Sequence, residues 1–215
     1  MPDVVFIVAG GPSAKKLIYK KDLTAYGHVL AVNDASLYTA CHDIVSMDGR
    51  WMLNRQGMLR TSKKNLYLSR PHYKKWIPDL KHQHLLTPFV DVKNIGVSDS
   101  LDYLYAKDSG MMAMAIACII AKKTVYLIGM DYSNHGSEAH WYKPYSWVAG
   151  GALFNEAKFS KWILEHDLYA DAFSQKGIKI YNVSHTSKIQ SYERLKDAEF
   201  ADHLARILEF KQTDA

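Results

Sequence analysis

The chain has 215 residues, of which 48% are hydrophobic and 23% charged; this excludes a disordered chain and suits one domain of ordinary to large size. Its 27 basic and 22 acidic residues give a net charge of +5, and the basic surplus lies in residues 1–100, with 14 Lys/Arg against 8 Asp/Glu. Two cysteines, Cys41 and Cys118, exclude a disulfide scaffold and a four-cysteine zinc site.

Both thiols are expected free in a reducing compartment, Cys41 on a helix and Cys118 in an apolar run. The start, Met1-Pro2-Asp3, lacks the charged segment of a signal peptide. The longest apolar run, Met111–Ala121, is about half a membrane span. A cytoplasmic protein without a membrane span is therefore expected. No repeat or Pro/Gly linker divides the chain, so 1–215 is expected as a single domain.

Continuous apolar runs predict strands buried on both faces, as in a parallel sheet. They fall at Val4–Ala9, Val29–Val32, Asp43–Met47, Asn65–Ser69, Thr124–Ile128 and Ile178–Tyr181. Helices are expected over Ala14–Tyr19, Met111–Ala121, about Phe154–Phe173 and about Tyr192–Phe210. This alternation predicts an α/β fold: one doubly wound, mostly parallel Rossmann-like sheet with helices on both faces. Ligands of such sheets bind beyond the carboxyl ends of the strands.

The residues at those ends are small or polar. Gly10-Gly11-Pro12-Ser13 follows the first strand; its glycines would let the backbone approach a phosphate, and the helix start would offer amides. It matches neither the dinucleotide nor the Walker fingerprint. Asn33 and Asp34 end the second strand and Asp48 the third, placed either to hydrogen-bond a nucleoside or to cap the next helix. Ser109-Gly110 opens the all-apolar helix, where a hydroxyl and free amides would face an anion, with simple capping as the alternative. Asp131 ends the strand Thr124–Ile128.

The segment from Asp131 to Gly151 combines two His, three Tyr, two Trp and Lys143 with little periodicity. It is expected as a lid closing over the ligand. His140 is its candidate general base. Tyr142 and Tyr145 would donate hydrogen bonds to a departing phosphate. Arg50–Lys81 holds nine Lys/Arg with Trp51, Tyr67, Tyr73 and Trp76 interleaved, a pattern that suits a nucleic acid or acidic acceptor, or else a solvated basic face.

The order VFIVAGGPSAKKL, VLAVNDAS, IVSMD, SGMMAMAIACIIAKKTVYLIGMDYSNHGSEAH and GIKIYNVSHTSKI resembles one known pattern. It is similar to the superfamily joining bacterial family 42 sialyltransferases to the MptE-like (DUF115) Rossmann-type domains. The sialyltransferase branch implies a sugar-nucleotide donor and no metal cofactor. On that resemblance Gly10, Gly11, Pro12, Ser13, Asn33, Ser109 and Gly110 would contact the donor. His140 would be the lid base, and Tyr142 and Tyr145 the phosphate-binding tyrosines. The MptE-like branch implies a pyrophosphokinase in which Asp48 and Asp131 would serve Mg²⁺-dependent diphosphate transfer. The favoured expectation is a glycosyltransferase-like enzyme that binds a sugar nucleotide. The alternatives are the pyrophosphokinase, a non-enzymatic nucleotide- or nucleic-acid-binding module, and a transferase acting on modified nucleic acid.

Overall fold

The computed structural model describes residues 1–18, 21–77, 79, 85–89, 100–101, 103–133, 140–141 and 156–213. Its first half holds β1 (Val4–Val8), α1 (Lys15–Ile18), β2 (His28–Val32), α2 (Ala35–Tyr38), β3 (Asp43–Ser46), α3 (Gly49–Asn54), α4 (Gln56–Thr61), β4 (Asn65–Ser69) and α5 (Arg70–Trp76). There follow β5 (Leu85–Phe89), β6 (Tyr103–Tyr105), α6 (Ser109–Ile120), β7 (Thr124–Ile128), α7 (Glu156–Gln175), β8 (Lys179–Asn182), β9 (Glu193–Arg194) and α8 (Asp197–Thr213). A 3-10 turn, Pro12–Ala14, leads into α1.

Among the described residues nine strands form one sheet in the order β6-β5-β4-β3-β2-β1-β7-β8-β9. Every neighbouring pair is parallel. The chain winds outward from β1 to β6, then crosses back to lay β7 on the other side of β1. That is the doubly wound Rossmann-like architecture the sequence predicts.

Alternation along β1 builds both cores. Val5 and Ile7 join the cluster under α6 and α7, while Phe6 and Val8 join Phe200 and Leu204 of α8 on the opposite face. In β3 Val45 points to the α6 face, and Ile44 packs with Trp51 and Met52 of α3 and Leu59 of α4. Helix α6 is buried from Ser109 to Cys118, as a helix apolar all round must be.

All six expected strands are present, with ends shifted by at most a residue. Strands β5, β6 and β9 and helices α2 to α5 are additions. Their periodic signal is weak: β5 contains Pro88, β6 spans three residues and β9 two. The last helix starts at Asp197 rather than near Tyr192, because Tyr192 is buried and Glu193–Arg194 pair with β8. Cys41 lies in the loop before β3 and not on a helix; Cys118 is buried in α6, and both are free thiols. Among the described residues no helix is long and apolar enough to cross a membrane.

Candidate functional site

The winding reverses between β1 and β7. In open parallel sheets such a reversal is where a ligand crevice forms, at the carboxyl ends of the strands. A cavity of about 270 Å³ occupies that crevice. The ends of β1, β2, β3 and β7, the start of α6, His140 and the first turns of α7 line it.

The β1 and β7 loops hold each other. The Ala9 amide donates to the Ile128 carbonyl at 2.8 Å, and the Gly11 amide to the Gly129 carbonyl at 2.7 Å. A Cβ on Gly11 would stand 2.5 Å from the Gly129 oxygen and 2.6 Å from the Asp131 carboxyl carbon. Gly129 has φ of +70°, and a Cβ there would meet the Ala9 oxygen at 2.6 Å. The space that makes Gly11 a glycine is therefore filled by the β7 loop, and not left for a phosphate as the sequence suggested.

The carboxylate of Asp131 accepts from the Ser13 amide at 2.9 Å and from the Ser13 hydroxyl. It thereby caps the Pro12–Ala14 turn, which the sequence had left open to an anion. Pro12 and Ser13 do not line the cavity, whereas Gly10, Gly11 and Asp131 do.

Asn33 adopts φ of +52°, a left-handed conformation that Asn tolerates. Its side-chain oxygen is buried at the cavity wall with no hydrogen-bond partner among the described residues. Its neighbour Asp34 turns away from the cavity. It accepts from Trp51 Nε1 at 2.7 Å, Arg55 Nε at 2.8 Å and Arg55 Nη2 at 2.6 Å, and does not cap α2. Asp48 does cap its helix, accepting from the Arg50 and Trp51 amides at 2.9 and 3.1 Å, and it also lines the cavity.

At α6 the cap is Asp108, a residue the sequence reading passed over for Ser109. Asp108 Oδ1 accepts from the Gly110 and Met111 amides at 2.6 and 2.9 Å and from the Tyr132 hydroxyl at 3.0 Å. The amides expected to be free for an anion are thus taken. The Ser109 hydroxyl accepts from the Met47 amide at 2.9 Å, tying α6 to the end of β3. Asp followed by Ser-Gly at the head of an apolar run is a cap signal, and it could have identified Asp108. Asp108 keeps a face on the cavity, but protein closes off most of its carboxylate. That burial raises its pKa, against the lowering effect of its three donors. Burial, and then the Asp108 charge, push Tyr132 well up in turn. Tyr132 is itself left-handed, with φ of +48°.

Of the expected lid, 131–151, the described residues are 131–133, His140 and Trp141; Tyr142 and Tyr145 lie outside the described residues. Trp141 pins the segment to β1. Its amide donates to the Gly10 carbonyl and its indole to the Ala9 carbonyl, both at 2.9 Å. This sets His140 half-buried on the cavity wall. Burial lowers the His140 pKa, offset by a hydrogen bond with the Gly10 backbone and by the charge of Asp34. The imidazole is therefore neutral at pH 7, the form a general base needs.

Lys107, Phe159 and Trp162 also line the cavity, and sequence reasoning missed all three. Phe159 and Trp162 meet Tyr132 edge-on at 6.3 and 6.1 Å. Among the described residues no group of three or more His, Cys, Asp or Glu gathers to hold a metal. In the basic stretch 50–81, Trp51 is 0% and Tyr67 6% exposed, and Trp76 packs on Gly49. Trp51 and Tyr67, expected to stack on bases, are core residues and lend a nucleic-acid partner no support, whereas Tyr73 and Trp76 are half-buried.

No protein-family model matches the sequence, and no curated protein matches it either. A solved structure, the MAf glycosyltransferase from Magnetospirillum magneticum AMB-1, shares the fold with a TM-score of 0.59 at 13% identity. The alignment covers 96% of this chain and 37% of that one, so the chain spans little more than a third of that protein's length. The chain thus shares an α/β fold with the matched part of that glycosyltransferase.

Proposed function

We propose that the cavity between β1 and β7 takes a sugar nucleotide and that the protein is a glycosyltransferase-type transferase. The observation that carries this reading is His140, half-buried and kept neutral on the wall of a switch-point cavity. The fold shared with a glycosyltransferase supports it. His140 takes the proton of the acceptor hydroxyl as that oxygen attacks the sugar carbon, and the bond to the nucleotide phosphate breaks. Asn33, with its unpartnered oxygen, accepts a hydrogen bond from the nucleoside. Tyr142 and Tyr145 complete the proposal as donors to the leaving phosphate.

The metal-dependent alternative would draw on Asp48 and Asp131. Asp131 gives its carboxylate to Ser13, and Asp48 gives an oxygen to two amides of α3. These engagements favour the glycosyltransferase reading.

The test is thermal unfolding with CMP, UDP, GDP and ATP, each with Mg²⁺ or EDTA. A nucleotide at a hundredfold its Kd adds about 2.7 kcal/mol to the folded state. No shift with any nucleotide would overturn the reading, and a shift abolished by EDTA would favour the pyrophosphokinase. With the sugar nucleotide so identified, His140→Ala is expected to lower turnover about 10²- to 10⁴-fold while donor affinity holds. Wild-type activity should fall only at a pH below about 6.5, because the imidazole pKa is shifted down.

A further inference from the structure

We propose that Lys107 holds the anionic end of the cavity's ligand, in place of the helix N-termini beside it. The proposal rests on reading the cavity as a nucleotide site and says where in it the phosphates go. Three helical starts lie at the cavity or one residue from its lining: the Pro12–Ala14 turn, which follows the lining residue Gly11, α3, which follows Asp48, and α6. In parallel α/β proteins such starts are the usual anion sites. Here each is filled by the chain's own carboxylate, from Asp131, Asp48 and Asp108 respectively. All three acids also line the cavity. A phosphate brought to any of these starts would find amides engaged and a carboxyl group in its place.

The basic side chains among the described lining residues are Lys107 and His140. Burial lowers the His140 pKa, so among the described lining residues the cation is Lys107. Its ammonium donates to Oε1 of Glu165, reaching across from α7. Glu165 is 5% exposed, and its second oxygen has no hydrogen-bond partner among the described residues. A carboxylate buried in that way is stable only beside a cation, so it fixes Lys107 against the wall. An ammonium has three donors. Glu165 takes one, and Lys107 itself lines the cavity, where the other charged groups among the described residues are acidic. The cavity is polarised: hydroxyl and amine donors of a nucleoside suit the acids and Asn33, and a diphosphate suits Lys107.

Titration calorimetry on the full chain tests this with uridine, cytidine, guanosine and adenosine, their diphosphates, and inorganic diphosphate as a base-free probe. Lys107→Met alone would strand the Glu165 charge, so it is combined with Glu165→Gln, and circular dichroism checks the fold. The double variant is expected to keep nucleoside affinity and to lose about 10- to 100-fold for the nucleoside diphosphate and for inorganic diphosphate. Glu165→Gln alone removes the competing carboxylate and is expected to tighten inorganic diphosphate several-fold. This single variant decides the matter should the double variant not fold. Diphosphate affinity unchanged in the double variant, nucleoside affinity lost equally with it, or weaker diphosphate binding by folded Glu165→Gln would each overturn the proposal. Wild-type protein that binds nucleosides while the variants leave diphosphates untouched keeps the nucleotide reading and sinks this one. Lys107-dependent binding of inorganic diphosphate without any nucleoside or nucleotide does the reverse. Wild-type protein that binds none of the probes sinks both.

Discussion

Asp34 and Asp108 are both acids set into the carboxyl edge of the sheet, one after β2 and one ahead of α6, and their surroundings are opposite. Asp34 faces the two-pronged guanidinium of Arg55 and the Trp51 indole, with 2% of its surface exposed. Its charge is neutralised inside the β2–α3 side of the molecule. Asp108 faces two backbone amides and a phenol, with no cation among its described partners; the ammonium next to it in sequence is directed to Glu165. Burial without a cation raises the Asp108 pKa, and the residue keeps a face on the cavity. A strand-end carboxylate is therefore not a site residue by position. What it is paired with decides whether it holds the fold together or presents itself to a ligand.

The same substitution at both positions separates these roles most sharply. Asp34→Asn leaves Arg55 partly buried against a neutral amide and breaks a paired charge, a loss of about 3–5 kcal/mol. Urea unfolding should show it as a lower midpoint at constant slope. A loss under about 1 kcal/mol would mean that the Arg55 pair is not what secures this side.

The cavity side should instead show itself through acid. His166 of α7 is 0% exposed, its ring meets Tyr132 at 4.9 Å, and neither ring nitrogen has a hydrogen-bond partner among the described residues. Burial lowers its pKa from 6.5 to about 3. The unfolded chain therefore takes up the proton first, and stability falls as pH drops below about 6.5, levelling off near the folded value. The expected loss is about 2 kcal/mol at pH 5. His166→Phe should flatten that slope relative to wild type. A parallel pH profile would show that His166 finds a partner in solution.

Asp108→Asn is expected to have the smallest effect, about 1 kcal/mol or less. Asn caps a helix as well as Asp, and burial already disfavours the charge. A cost like that of Asp34→Asn would place Asp108 among the structural acids and erase the contrast.

The local pattern of the chain carried the sheet. β1, β2, β3, β4, β7 and β8 are apolar runs ended by turn residues, and α6 is apolar on all sides; burial on both faces of a parallel sheet demands that composition. Of the strand-end residues, Gly10, Gly11, Asn33, Asp48 and Asp131 line one cavity while Pro12, Ser13 and Asp34 do not; Ser109 and Gly110, expected from the helix start, and His140, expected from the aromatic-rich loop, line it too. Lys107, Phe159 and Trp162 escaped because their neighbours in sequence do not betray which cavity they face.

What the sequence by itself determined is the alternation of buried strands and helices, since hydrophobic burial is written residue by residue with a period. Only the tertiary structure decided which polar groups are occupied. Ser13 meets Asp131 across 118 positions, Lys107 meets Glu165 across 58 and Asp34 meets Arg55 across 21. A hydrogen bond or ion pair depends on distance in space, and no local pattern records a partner that the sheet must first bring near.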